Sequence, residues 1–253
     1  DVYEVPIKDH NYLITVDVAR GLGNDYSAFI VFDITNFPYK AVAKYRNNEI
    51  KPMLFPSIID DIGKAYNKAF ILCEVNDIGD QVASILNYDL EYDNLLMCSQ
   101  RGRAGQVVGA GFSGKRSQLG VRTTQAVKKL GCSNLKTLLE DDKILIIDYD
   151  IISELTTFSQ KHNSFEAEEG CNDDLAMCLV IYAWLVQQEY FKELTDQDVR
   201  KRIYEDQRDQ IEQDMSPFGF IVDGTEDESF VDKDGDRWYA DEYGDRSYMW
   251  DYR

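Results

Sequence analysis

Over roughly the first 190 residues, short apolar blocks change period in an order that predicts an α/β fold. Residues 12–18 are apolar and β-branched and end in the glycine-rich turn 21–23, the pattern of a central strand. Residues 26–33 and 39–46 repeat the pattern across turns rich in Gly, Asn and Pro, which predicts an antiparallel meander of three strands. The period then lengthens. Residues 56–69 carry Ile58, Ile59, Ile62, Ala65 and Tyr66 at helical spacing, with Ser57 near the start. A short apolar run, 70–74, closes on Glu74; residues 79–90 return to helical spacing through Val82, Ile85 and Leu86, and 95–98 read as a strand. Strand, helix and strand make a crossover, which requires parallel pairing and a right-handed connection.

Five glycines between residues 101 and 114 predict a mobile hairpin or loop. Helices are expected at 121–130 and 134–141, a strand at 144–147, a helix at 151–159 and a long amphipathic helix at 172–190. The sum is a mixed sheet, three antiparallel strands followed by parallel ones, with helices on both faces. Past about residue 215 the chain turns to Asp, Gly, Tyr and Trp without periodicity. That divides it into a domain over 1–215 and an acidic, aromatic, flexible tail over 216–253.

Composition narrows the chemistry. With 253 residues, 44% of them hydrophobic, the chain suits one sizeable domain with an appendage. It opens at Asp1 with no charged-then-apolar leader and is expected to be a piece of a longer protein. The longest apolar stretch, 175–186, falls short of the roughly 20 residues that span a bilayer, so no membrane partner is expected. Five cysteines without a CxxC pair read as buried free thiols in a reducing cytoplasm. Two histidines, His10 and His162, leave little for a zinc enzyme or a Ser-His-Asp triad, so any metal must rest on oxygen ligands.

A net charge of −19 argues at first against nucleic acid, but the distribution of that charge along the chain points the other way. Residues 95–139 hold eight basic side chains (Arg101, Arg103, Lys115, Arg116, Arg122, Lys128, Lys129 and Lys136) and no acidic one, whereas 196–253 hold 18 acidic against 8 basic. The first segment can face DNA or be a plain solvated surface; the tail cannot face DNA.

Asp17 lies inside the apolar first strand and Glu74 at the end of another, where an unpaired carboxylate is expensive. Asp17 either satisfies a loop backbone or binds a cation, and Glu74 either pairs with a base such as Lys68 or does the same. In Gly170-Cys-Asn-Asp-Asp-Leu-Ala-Met-Cys178, Asp173 reads as an ordinary helix N-cap and Asp174 gains from the helix dipole. Asp25, in the turn after the first strand, either adds a carboxylate to the site or stabilises the turn. Three carboxylates from three elements can meet at one sheet edge, where two cations about 3.5–4 Å apart hydrolyse phosphodiesters. Hard oxygen ligands suit magnesium, and Asp17 is the natural bridge. Asp232-Lys-Asp-Gly-Asp236 lacks the glycine and terminal Glu of a calcium loop.

The segments Leu13-Ile-Thr-Val-Asp-Val-Ala-Arg-Gly-Leu-Gly-Asn-Asp-Tyr26, Gly131-Cys-Ser-Asn-Leu-Lys136, Cys73-Glu-Val-Asn76 and Glu168-Glu-Gly-Cys-Asn-Asp-Asp-Leu-Ala-Met177 together resemble the nuclease domain of terminase large subunits of T4-like tailed phages. The resemblance covers about residues 10–190 and implies a ribonuclease-H-like, metal-dependent endonuclease that cuts concatemeric double-stranded DNA during genome packaging. It implies Asp17, Glu74 and Asp174 as catalytic metal ligands with Asp25 beside them, holding Mg²⁺ or Mn²⁺ as two ions. Arg101, Arg103, Lys115, Arg116, Arg122, Lys128 and Lys129 would track the DNA backbone. Implied partners are the ATPase domain of the same polypeptide, the portal and the small terminase subunit, in the cytoplasm of an infected bacterium. The chain departs from relatives in having Asn172 where a His can stand, and in its long glycine-rich stretch. It contains no GxxxxGK[ST] phosphate loop. Two rival readings are an actin-like or sugar-kinase-type ATPase using Asp77-Ile-Gly79, and a non-catalytic docking module whose tail, 218–252, binds the portal.

Overall fold

The computed structural model describes residues 1–23, 25–99, 105–110, 117–161 and 164–195, and the backbone of 229–231, 237–240 and 246–248. Along the first part run β1 (Tyr12–Asp17), β2 (Ser27–Asp33), β3 (Tyr39–Asn47), α1 (Phe55–Ala65), β4 (Phe70–Cys73) and α2 (Gly79–Ser84). There follow β5 (Leu96–Ser99), β6 (Val107–Ala110), β7 (Ser117–Leu119), α3 (Gln125–Glu140), β8 (Ile144–Leu145), α4 (Tyr149–Thr157), the hairpin strands β9 (Phe158–Lys161) and β10 (Ser164–Ala167), and α5 (Asp174–Val186). These belong to one compact unit, Asp1–Lys201. The second unit, Arg202–Arg253, contains β11 (Ser229–Val231), β12 (Arg237–Ala240) and β13 (Arg246–Tyr248), paired antiparallel in that order, within the stretch that sequence analysis set apart as a tail.

The main sheet runs β4-β1-β2-β3-β8, with the first three strands antiparallel and β4 and β8 parallel to their neighbours. That is the mixed α/β sheet expected from the sequence. Period-two alternation sorts β1 between two cores. Leu13 packs with α3 and α5 on one face, while Tyr12, Ile14 and Val16 pack with α1 and α2 on the other. Thr15 and Asp17 share the parity of Leu13 and therefore the α5 face, and the Thr15 hydroxyl donates to the Cys178 carbonyl oxygen at 2.9 Å.

Several boundaries differ from the expectation. The first helix ends at Ala65 because Asn67 and Lys68 take positive φ, and the second gives way at Ile85 to a π-helical turn. β5 runs parallel to β4 but touches it through one isolated bridge, Ile71 to Leu95, and is the centre of a separate sheet, β6-β5-β7. Part of the glycine-rich stretch is thus strand β6; residues 101–104 and 111–116 lie outside the described residues. The expected helix 151–159 stops at Thr157, where the unforeseen β9–β10 hairpin begins. The five cysteines are free thiols; Cys73, Cys98 and Cys178 are buried and Cys171 is exposed.

Two corrections bear on the site. α5 is not amphipathic: every residue from Asp174 to Leu185 is buried, as befits a helix held between the sheet and α3. And α3 is one helix rather than two, running through the expected gap at 131–133, where it packs against α5. A Cβ on Gly131 would sit 2.4 Å from the Val180 carbonyl oxygen of α5, and Asn134 Nδ2 donates to the Ala183 carbonyl oxygen at 3.3 Å. Gly131→Ala is expected to force the helices apart and lower stability by about 1–3 kcal/mol in urea denaturation; an unchanged midpoint would mean the helices separate freely.

Candidate metal centre

Parallel pairing puts the first two carboxylates together. Val16 is in register with Cys73, and the Glu74 N–H donates to the Val16 carbonyl oxygen at 2.9 Å, so Asp17 and Glu74 leave adjacent strands side by side on the α5 face. Gly79 lets the chain turn tightly behind them, for a Cβ there would lie 1.9 Å from the Glu74 carbonyl oxygen. Asn76 Nδ2 donates to Glu74 Oε1 at 2.6 Å and aims its carboxylate. Lys68 instead pairs with Asp93 at 3.6 Å, leaving the Lys68–Glu74 alternative unrealised. α5 brings the third carboxylate, Asp174, to the same edge, where Tyr26 N–H donates to its Oδ1 at 3.2 Å.

These groups line or adjoin a cleft of about 440 Å³ walled by Asp17, Val18, Ala19, Arg20, Leu22, Asp25, Asp77 and Asp174. Its electrostatics are strained. Burial first, then the charge and shared hydrogen bond of Glu74, then Asp174 and Asp173, push the Asp17 carboxyl well above its ordinary value. Asp174, 8% exposed, is pushed up to about 7 by burial and by the charges of Glu154 and Asp173, against the opposing pull of the Tyr26 N–H and Arg46. A cluster of hard oxygen donors that resist ionisation together is chemically fitted to Mg²⁺ or Mn²⁺. Asp25 is exposed on the cleft wall beside Asp17 and Asp174. At the same wall Arg20 forks onto Asp77, with Nε 2.7 Å and Nη2 2.9 Å from its two oxygens.

Among the described residues, the three acids whose ligand atoms fall within 4.8 Å of one another are Asp1, Asp148 and Asp150. That group already has its cation: Lys44 Nζ lies 2.8 Å from Asp148 and 3.6 Å from Asp1, and it also bonds Asp150. The carboxylates of the cleft are spread more widely.

One reading is corrected. Asp173 occupies the N-cap position of α5 but makes no side-chain capping bond. Glu154 of α4 does so from a distance, its Oε2 accepting from Leu175 N at 2.7 Å and Ala176 N at 3.1 Å. Sequence reasoning missed Glu154. The available signal was an acidic residue one turn after Ile151, on the buried face of its helix.

Of the basic residues, Arg101, Arg103, Lys115 and Arg116 lie outside the described residues. Arg122 is exposed beside a polar pocket of about 310 Å³ that also takes in Ser99, Gln118 and Thr124, and the parallel bridge of Val121 to Glu74 ties this rim to the carboxylates. On α3, Lys129 is exposed, whereas Lys128 Nζ sits 5.5 Å from the centre of the Phe158 ring.

The profile of one family, described as the terminase RNaseH-like domain, matches residues 14–213 and so spans all three carboxylates. The chain belongs to this family. The fold of the domain is similar to that of the large terminase nuclease from thermophilic phage G20c, in a crystal structure with bound magnesium, at a TM-score of 0.55 and 22% identity over 74% of this chain and 87% of that one. The same G20c nuclease with bound cobalt matches at a TM-score of 0.54 and 21% identity, again over 74% of this chain and 87% of that one. The large terminase nuclease domain of Thermus phage P74-26 matches at 0.53 and 22% identity, covering 74% of this chain and 85% of that one. These likenesses establish the ribonuclease-H-like fold. Among the described residues, no helix of the domain is long and apolar enough to cross a membrane.

Proposed function

We propose that this terminase RNaseH-like domain is the nuclease of a T4-like packaging motor, cutting concatemeric double-stranded DNA in the cytoplasm of the infected bacterium. The observation that carries the reading is the convergence of Asp17, Glu74 and Asp174, from β1, the end of β4 and the start of α5, at one edge of the sheet. Asp17, Glu74 and Asp174 would hold two Mg²⁺ or Mn²⁺ ions, with Asp25 at the cleft wall as a further ligand. Carboxylates distributed along a cleft rather than closed into one cage would suit more than one such ion. Bound there, the ions supply an activated water and charge neutralisation for the leaving oxygen. The water oxygen bonds to phosphorus as one P–O ester bond breaks, and the departing oxygen takes up a proton.

The chain's own groups do the arranging. Asn76 aims Glu74, the Tyr26 N–H aims Asp174, and Asp77 holds Arg20, the cation of the cleft wall, where a phosphate would pass. Arg122, Lys128 and Lys129, with Arg101, Arg103, Lys115 and Arg116, would track the duplex without reading its sequence. Residues 1–215 form the catalytic domain in this reading. Residues 216–253 serve a partner, such as the portal or the small terminase subunit, and an ATPase domain of the same polypeptide adds to DNA affinity by effective concentration.

Supercoiled plasmid incubated with the chain and Mg²⁺ or Mn²⁺ tests the reading. Nicking and linearisation are expected, abolished by EDTA, retained after deletion of 216–253, and with DNA affinity falling steeply between about 50 and 200 mM salt. Plasmid left intact by folded protein at low salt with either cation would refute it.

A further inference from the structure

Glu154 belongs to α4, yet its carboxylate serves α5. It is 5% exposed, and its Oε2 takes the backbone N–H groups of Leu175 and Ala176, the two residues after Asp174. Its other oxygen pairs with Arg46 of β3 at 3.3 Å. The Arg46 guanidinium lies 3.9 Å from the centre of the Tyr26 ring, and the Tyr26 N–H donates to the Asp174 carboxylate. The contacts close a ring in which Glu154 holds the backbone on one side of Asp174, Tyr26 holds its side chain, and Arg46 holds both Glu154 and Tyr26.

A buried carboxylate is a costly way to cap a helix. Asp173, already at the N-cap, is of the residue type that caps locally from the surface, yet it makes no capping bond. A cap delivered from another element does something a local one cannot: it ties the start of α5 to α4 and β3, and so fixes where Asp174 points. The positive charge of Arg46 offsets the negative charge that this arrangement brings close to the cleft.

We infer that Glu154 and Arg46 are positioning residues, a bracket that holds the Asp174 carboxylate in the direction needed to bind a divalent cation. The inference rests on the metal-dependent reading above. It adds that cation affinity is set partly by residues that touch neither cation nor DNA.

The test compares the full chain with Glu154→Ala, Glu154→Gln, Arg46→Met and, as a control for plain destabilisation, Leu138→Ala in the α3 core. Three quantities are read: amide hydrogen exchange in the first turn of α5, Mn²⁺ affinity by calorimetry, and plasmid cleavage with kcat and KM separated. Glu154→Ala is expected to lose exchange protection at residues 175–176, to bind Mn²⁺ about 10–100-fold more weakly, and to lose kcat by a similar factor with little change in KM for DNA. Glu154→Gln, which restores an acceptor for both N–H groups, should recover the protection and most of the affinity. Arg46→Met keeps the cap and is expected to lose about 10-fold in Mn²⁺ affinity, which covers the case of an unfolded Glu154→Ala. Leu138→Ala should match wild type in Mn²⁺ affinity despite a lower melting temperature. Wild-type affinity in both Glu154→Ala and Arg46→Met, or an equal loss in Leu138→Ala, would overturn the bracket. A wild type that binds Mn²⁺ with the expected variant pattern but cuts no DNA sinks the nuclease reading and leaves the bracket standing; a wild type that binds no Mn²⁺ removes both.

Discussion

Asp17→Asn is expected to slow plasmid cleavage by about 10³-fold or more while making the cation-free protein more stable. The two effects share one cause. Asp17 stands beside Glu74 with Asp174 and Asp173 nearby, and burial together with their charges holds its carboxyl well above the ordinary value. An acid whose folded-state value is raised opposes folding at every pH above its unfolded value, so removing its charge should gain about 0.5–2 kcal/mol at neutral pH. Asn keeps the shape and one oxygen but loses the charge that a ligand to a divalent cation would supply. Added Mn²⁺ should therefore raise the melting temperature of wild type, because it binds the folded state alone, and leave the variant unmoved. Cleavage at the wild-type rate by Asp17→Asn would show that the reaction takes place elsewhere on the chain.

Lys44→Met is expected to be the most damaging change away from the cleft, lowering stability by about 3–5 kcal/mol without altering the chemistry of the site. Lys44 is 6% exposed and its ammonium meets Asp148, Asp150 and Asp1. Asp150 and Asp1 reach solvent and can rehydrate once the lysine is gone. Asp148, with 10% of its side chain exposed, cannot. It also caps α4 through the Ile151 N–H and accepts from the Tyr3 hydroxyl. Burial by itself would raise the Asp148 carboxyl, but hydrogen bonds from Lys44, Tyr3 and Ile151 outweigh it and hold the group below its ordinary value. A lowered acid contributes stability above its unfolded value and loses it as pH falls through the folded one. The gap between wild type and Lys44→Met, measured by urea denaturation, should therefore be widest near neutrality and shrink below about pH 4. A gap independent of pH would mean that the lysine acts by packing alone.

The Lys44 cluster also shows what composition cannot sort. Asp148 and Asp150 follow strand β8 in sequence much as Asp17 closes β1, and together with Asp1 they crowd more tightly than the cleft carboxylates. What separates the two groups is a lysine from β3, far away in the chain, in one of them. A loop acid and a strand lysine carry no shared local signal.

Much of the scaffold was legible because period is a local property. The run 12–18 is short, apolar and β-branched, so it announces a buried central strand, and Asp17 stands out within it; which face the aspartate takes follows from the packing of Leu13 against α5. The strand–helix–strand order after residue 70 implied parallel pairing of 70–74 with 95–98, but only the structure laid β4 parallel to β1 and so set Glu74 at the same sheet edge as Asp17. Acids inside apolar runs were conspicuous for the same reason: their isolation costs energy wherever the chain goes. Element ends were less legible. Positive φ at Asn67 and Lys68, uncommon outside glycine, and the passage into a hairpin at Phe158 are imposed by tertiary context more than by the residue types themselves.

What the sequence alone determined, then, is the class of fold and the acids that demand a partner, because alternation and the penalty for burying charge act at each position by itself. The tertiary structure alone decided which partner each acid has. The gap at 131–133 looked like a break between helices until α5 lay against Gly131, and Asp173 looked like a cap until Glu154 arrived from α4. Lys44, unremarkable in the sequence, gained three carboxylate partners only through the fold. Each of these contacts joins residues distant in the chain, and burial gives such a contact its strength by removing the water that would otherwise satisfy both groups.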